Sequence, residues 1–205
     1  MGEFIYNEET RIHTLNGKII PSVSNIVEPL SMDYSKAHPG KLAHKKDLGI
    51  NFHECIRLFL NNDLDEDSID EDLVIPMQQF DEFFTDNTNG LQSLESSSIV
   101  AIERPFCNEK LKYCGKPDLV TEDTIYDWKL RKYDPVCDPL RMAGYAGLIS
   151  DFPPKRKIVV GFSLDAGYRV HDADKKQAWP IFRKLLDWYW KKQEFETLLS
   201  QWRKQ

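Results

Sequence analysis

No apolar run in this 205-residue chain approaches the roughly 20 residues that a membrane-crossing helix needs, so a helical membrane protein is excluded. The opening MGEFIYNEETRIH is acidic and polar, which speaks against a secretory signal. Cys55, Cys107, Cys114 and Cys137 contain no CxxC pair, so neither a zinc ribbon nor an iron–sulfur cluster is suggested. Four unclustered thiols of this kind are expected in a reducing cytoplasm. Internal repeats and low-complexity tracts are missing as well. Positive charge is in deficit: the net charge of −6 argues against a protein that coats nucleic acid nonspecifically, although local basic surface remains allowed.

What is present fits one soluble domain over residues 1–205. Hydrophobic residues make up 41% and charged residues 29%, and the length is ample for a real core. Acidity is concentrated in residues 63–72, read as a solvated loop. Basic residues gather at Lys41, His44, Lys45 and Lys46, and again from Lys175 through Lys204.

About residues 1–40 are expected as an N-terminal extension of strands and a short helix packed on the core. Within it residues 4 to 27 read as a small β element, with Phe4 to Tyr6, Arg11 to Leu15 and Ile19-Ile20, the last two joined through the turn Asn16-Gly17-Lys18. Ser22 or Ser24 then caps a short helix through Leu30. Pro39-Gly40 is expected to break the chain before a helix from Lys41 to about Asn61, with Ile50, His53, Ile56, Arg57 and Leu60 on neighbouring turns. Gly49 inside that helix costs about 1 kcal/mol relative to alanine, a cost easier to understand if something must approach the backbone there. Pro76 to Thr85 predicts a second long helix and residues 98 to 107 a strand. Pro139 opens a helix carrying Met142, Tyr145, Ala146 and Ile149. Lys157 to Leu164 and Tyr168 to Val170 predict a further hairpin. The last helix, from about Lys175, has an apolar stripe (Trp179, Phe182, Leu185, Leu186, Tyr189, Leu198, Leu199, Trp202) expected to be core packing.

The informative stretch lies between residues 103 and 129. Lys116 to Thr121 and Thr124 to Leu130 are joined by Glu122-Asp123, so a tight hairpin is expected. With Thr121 facing Thr124, counting outward sets Asp118 opposite Asp127, and directly opposed residues share a face. Lys129, two places on, returns to that face. The strand bearing Glu103 is placed beside this hairpin. Like charges held together need a cation, and a hard divalent ion with oxygen ligands is the obvious candidate.

Order and motifs together resemble the PD-(D/E)XK nuclease superfamily, and within it the RecB-like and phage-type exonucleases. Gly49-Ile50-Asn51-Phe52-His53 is similar to a G-x-x-x-H helix motif, and Glu103 in IVAIERPF to the acidic strand residue. Gly115-Lys116-Pro117-Asp118-Leu119 is similar to G-x-x-D-L, and Asp127-Trp128-Lys129 to D-x-K. The match covers about residues 10 to 190. A lone D-x-K carries little; the conjunction in the right order carries the resemblance.

That resemblance implies an α/β fold with a central mixed sheet flanked by helices, and hydrolysis of DNA phosphodiester bonds with one or two Mg²⁺ or Mn²⁺ ions. It makes Glu103, Asp118, Asp127 and Lys129 catalytic. His53, Glu103, Asp118, Asp127 and the Trp128 carbonyl would hold metal. One departure stands out: where the family has a glutamine four residues before a tyrosine, this chain has Arg141 before Tyr145. Arg141 and Tyr145 are candidate DNA contacts or, equally, a surface charge and a core residue. Ser22 and Ser24 are candidate phosphate contacts or simple caps. The expected setting is recombination, replication or repair in a bacterial cell or phage-infected host, with a single-strand annealing or repair protein as partner. The alternatives are a catalytically silent DNA-binding or protein-interaction domain, or a structure-specific endonuclease.

Overall fold

A computed structural model describes residues 2–31, 38–86, 98–149, 153–165 and 167–203. The chain opens with the antiparallel meander β1 (Phe4–Asn7), β2 (Ile12–Leu15) and β3 (Lys18–Ile19). Asn16 and Gly17 both have positive φ, 52° and 72°, as the two central residues of a primed hairpin turn require. Helix α1 (Val23–Val27) starts at Ser22, whose hydroxyl accepts the Asn25 N–H while the Asn25 side chain accepts the Ser22 N–H. This helix is shorter than expected, with Glu28–Leu30 forming one 3₁₀ turn after it.

Helix α2 (Pro39–Leu60) includes the Pro39-Gly40 pair that the sequence suggested would break the chain. Proline in the first turn loses no intrahelical bond, because that N–H would have no partner anyway. Its buried face is Leu48, Phe52 and Ile56, at i, i+4 and i+8; Ile50 is exposed, contrary to expectation. The acidic stretch is exposed and folds into two short turns capped by the Asp65 and Asp70 side chains. Helix α3 (Val74–Thr85) follows, burying Met77, Phe80 and Phe83.

The expected strand over 98–107 is two strands, β4 (Ile99–Ile102) and β5 (Phe106–Asn108). Likewise Lys116 to Thr121 is not one strand: β6 (Tyr113–Gly115) pairs with β5, and β7 (Leu119–Thr121) joins β8 (Thr124–Lys129). Helix α4 (Cys137–Ala146), β9 (Arg156–Gly161), β10 (Arg169–Asp172) and α5 (Ala178–Trp202) complete the chain. The main sheet runs β10-β9-β8-β7-β4, with β8 and β9 parallel and the other pairs antiparallel. It is a central mixed sheet flanked by helices.

Alternation along the strands divides the core between the two faces. Ile125 on β8 and Val159 on β9 pack with α1, α4 and α5 through Val23, Met142 and Phe182. Tyr126, Trp128, Ile158 and Val160 pack with α2 and α3 through Phe52, Ile56 and Phe80. The N-terminal meander is tied to β6, where the Cys114 N–H donates to the Pro21 carbonyl at 3.0 Å.

Two further expectations change. Cys107 and Cys114 are directly opposed across β5 and β6, so these two thiols are neighbours although seven residues apart. The apolar stripe of α5 is core only in its first three turns, at Ala178, Phe182 and Leu186. Leu198 is 57% and Trp202 72% exposed, because a 25-residue helix outruns the layer it packs on. Lys204, the last member of the basic stretch, lies outside the described residues.

Gly144 shows how tightly α4 is seated. A Cβ there would lie 2.6 Å from the Phe182 ring and 3.0 Å from Val23. Alanine gains about 1 kcal/mol of helix propensity, but forcing a fully buried ring to move costs about 1–3 kcal/mol. Gly144→Ala is therefore expected to lower the melting temperature, and a melting temperature at or above wild type contradicts this packing.

Candidate functional site

Four elements bring ionisable side chains to one end of the β8-β7-β4 part of the sheet. The hairpin register is the expected one: Val120 faces Ile125 and Leu119 faces Tyr126, so the next step outward sets Asp118 beside Asp127. Asp118 itself precedes the ladder, and its Oδ2 accepts the Trp128 N–H at 2.7 Å. That bond ties the acid to the end of β8 through the backbone of the D-x-K segment. The Trp128 side chain, by contrast, is buried in the core.

Glu103 ends β4. Its φ of 43° lies in the left-handed region, and its N–H donates to the Asp118 carbonyl at 2.9 Å. A non-glycine residue there costs of order 1 kcal/mol, and it explains why the expected strand stops. The Glu103 Oε2 meets Lys116 Nζ at 2.6 Å. His53 comes from α2, one position past the buried Phe52. Its Nδ1 lies 3.3 Å from Asp118 Oδ1 and 3.8 Å from Glu103 Oε1. One ligand atom from each of His53, Glu103 and Asp118 falls within 4.8 Å of the others. An imidazole nitrogen and two carboxylates so close form a donor set that could hold a divalent cation.

Asp127 stands apart from this trio. It is almost wholly buried, and its Oδ2 lies 2.5 Å from Lys129 Nζ. At that separation the ammonium group satisfies the oxygen as an ion pair. Above His53, Glu103 and Asp118 opens a cleft of about 520 Å³, bordered by Gly49, Lys46, Arg11 and Tyr6. A Cβ on Gly49 would meet nothing within 4 Å. The helical glycine widens the mouth of the cleft rather than making room for a packed neighbour.

The two aspartates are pushed in opposite directions. Burial favours neutral Asp118, yet the charge and hydrogen bond of His53, with Lys129 and the Trp128 N–H, hold its carboxyl below the usual range. For Asp127 burial raises the pKa, Lys129 opposes, and repulsion from Asp118 adds to the rise. Burial disfavours the His53 imidazolium, but Asp118 outweighs it and the pKa is raised. Burial also drives the Tyr145 hydroxyl far up, reinforced by negative Asp127 and Asp118, while a hydrogen bond with Ser24 opposes. Tyr145 is thus a neutral hydroxyl facing the acid patch.

Of the other expected residues, Ser22 is a helix cap. Ser24 is exposed and bonded to Tyr145. Arg141 is held by Asp138 and by Ser31, whose Oγ lies 3.4 Å from Nη2. Sequence reasoning passed over Lys116, Arg131 and Asp138. Lys116 stood inside the G-x-x-D motif, where its nearness to Glu103 is invisible until β4 is placed. No family model matches this chain, and no curated protein does.

An Asp118→Asn substitution separates the two forces on His53. It leaves the ring buried but removes the largest attraction. In wild type the imidazole is expected to titrate above its ordinary value, and in Asp118→Asn lower than in wild type, by NMR pH titration without metal. The stabilisation from a raised histidine is complete below the unfolded pKa of about 6.5 and is lost as pH rises through the folded value. The melting temperature of wild type should therefore fall relative to the variant over that window. Equal His53 titrations in both proteins contradict the pairing.

Proposed function

We propose that the protein is a metal-dependent DNA nuclease, an exonuclease that hydrolyses phosphodiester bonds at DNA ends using Mg²⁺ or Mn²⁺. The observation that carries this reading is the His53, Glu103 and Asp118 donor set within 4.8 Å, beside the Asp127–Lys129 pair. The resemblance to PD-(D/E)XK nucleases supports it through the same residues, Glu103, Asp118, Asp127 and Lys129, in the same order.

The donor chemistry fits a divalent ion. Asp118 is ionised by preference, and Glu103 presents Oε1 toward His53 while Oε2 is held by Lys116. His53, Glu103 and Asp118 would hold the ion, with Asp127 and the Trp128 carbonyl as further ligands. A bound ion would supply Lewis-acid relief of the charge developing on phosphate and acidify a water. Imidazole among the ligands suits Mn²⁺ alongside Mg²⁺.

The rest falls to the chain. Lys129, fixed against Asp127, orients the attacking water and meets negative charge as it develops on the phosphate. Lys116 keeps Glu103 turned toward the cleft. The neutral Tyr145 hydroxyl donates toward a phosphate oxygen without adding charge, and Arg141 contacts the backbone of the bound strand.

The test uses end-labelled linear DNA and closed circular DNA, with Mg²⁺, Mn²⁺ or chelator. Linear DNA is expected to be degraded, circles left intact, and chelator to abolish activity. Asp118→Ala should show no turnover. Lys129→Ala should lose about 10²–10³ in kcat, the usual cost of removing one group that stabilises developing charge. Cutting of closed circles would assign an endonuclease instead. Metal-independent DNA binding with no cleavage under either ion would assign a silent binding module and overturn the nuclease reading.

A further inference from the structure

Asp138, at the start of α4, is completely buried yet is met by two guanidinium groups. Arg131 grips it with two nitrogens, Nη1 at 3.0 Å from Oδ2 and Nη2 at 2.5 Å from Oδ1. Arg141 Nη1 reaches Oδ1 at 3.1 Å, and the Asp134 N–H donates to Oδ2 at 2.7 Å. Every lone-pair direction of this carboxylate is thereby engaged. Among the described residues the arginines, by contrast, have donors to spare. A guanidinium carries five N–H groups; to described residues Arg131 directs three bonds, to Asp138 and the Lys132 carbonyl, and Arg141 two, to Asp138 and Ser31.

The placement of this cluster is informative. Arg131 lies two residues beyond Lys129. Arg141 lies one turn before Tyr145, the hydroxyl of which feels both Asp127 and Asp118. Asp127 and Arg131 are within electrostatic reach of one another. Lys116 and His53 stand on the Asp118 side of the acids, and the arginine pair on the Asp127 side.

We propose that Arg131 and Arg141 form a phosphate-binding site for the nucleic-acid backbone next to the reacting bond, with Asp138 as the positioning residue that fixes both. The inference rests on the phosphodiester reading above. Both forks keep N–H groups that make no bond among the described residues, and with side chains 37% (Arg131) and 18% (Arg141) exposed neither is sealed from solvent. A planar fork with free N–H groups suits a phosphate, which accepts two parallel bonds. Asp138 removes the rotamer freedom of both forks in advance, so less entropy is lost when the phosphate docks.

The experiment compares wild type, Arg131→Gln, Arg131→Lys and Asp138→Asn as full chains, by steady-state cleavage of a linear duplex and by binding of a labelled oligonucleotide across a salt series. Arg131→Gln is expected to raise KM about tenfold, affecting kcat less, as loss of a charge-assisted contact made in ground and transition states alike requires. The slope of log K against log salt should become shallower by about 1. Arg131→Lys should recover the slope but not the full affinity, since charge returns without the fork. Asp138→Asn should raise KM as well; should it fail to fold, the two Arg131 variants decide alone. A wild type that cleaves, with Arg131→Gln unchanged in both KM and salt slope, makes the cluster a brace and overturns this inference while leaving the nuclease reading intact. A wild type that neither binds nor cleaves DNA sinks both.

Discussion

Two carboxylates at the ends of neighbouring strands repel each other, and everything around them answers that repulsion. Asp118 and Asp127 follow directly on the last pair of the β7–β8 ladder, Leu119 and Tyr126, and lie near enough to repel. Both are buried, so water cannot screen them. The fold meets the cost with one basic group for each, His53 against Asp118 and Lys129 against Asp127. The compensation is unequal: Asp118 is held ionised, whereas the pKa of Asp127 is pushed up. Two neighbouring acids whose pKa values are pushed apart are the arrangement expected of a functional site.

The local backbone is shaped to the same end. Glu103 adopts a left-handed conformation that no ordinary strand residue needs, and by doing so leaves the ladder at the level of Asp118. Strain of this kind persists where the surroundings over-determine it. Here the Asp118 carbonyl, Lys116 and His53 all fix Glu103. The helix that carries His53 is anchored by Phe52 and Ile56 on the face of the sheet opposite α4. The imidazole thus reaches the acids from a rigid element, and its neighbours Gly49 and Lys46 line open space rather than core.

Much of this was legible in the amino-acid order. The Glu122-Asp123 turn and the apolar alternation on either side leave one register that keeps Leu119 and Tyr126 on the same buried face, and the ladder pairs those two residues. The Ser22 cap and the Asn16-Gly17 turn were equally local, and local chemistry is readable. What failed to show was set by distance along the chain. Periodicity made α5 amphipathic but could not reveal where its supporting layer ends, so Leu198 and Trp202 looked like core. Seven-residue spacing gave no hint that Cys107 faces Cys114, since only the β5–β6 pairing opposes them. Asp138 preceded the helix expected from Pro139 and drew no attention; its burial follows from the packing of α4, and the bond from Arg141 to Ser31 spans 110 residues. The strand carrying Glu103 was located, but its termination depends on the φ of one residue, which propensity does not encode.

The central claim is that His53, Glu103 and Asp118 converge on a single divalent ion. Anomalous diffraction from crystals of the protein soaked in Mn²⁺ tests it directly. The account predicts one strong peak bonded to Asp118 and to His53, within about 2.0–2.6 Å of carboxylate oxygen, with Asp127 at or next to the coordination sphere. A saturated soak that leaves these residues without a peak, or that places manganese only at the exposed acids of residues 63–72, contradicts it.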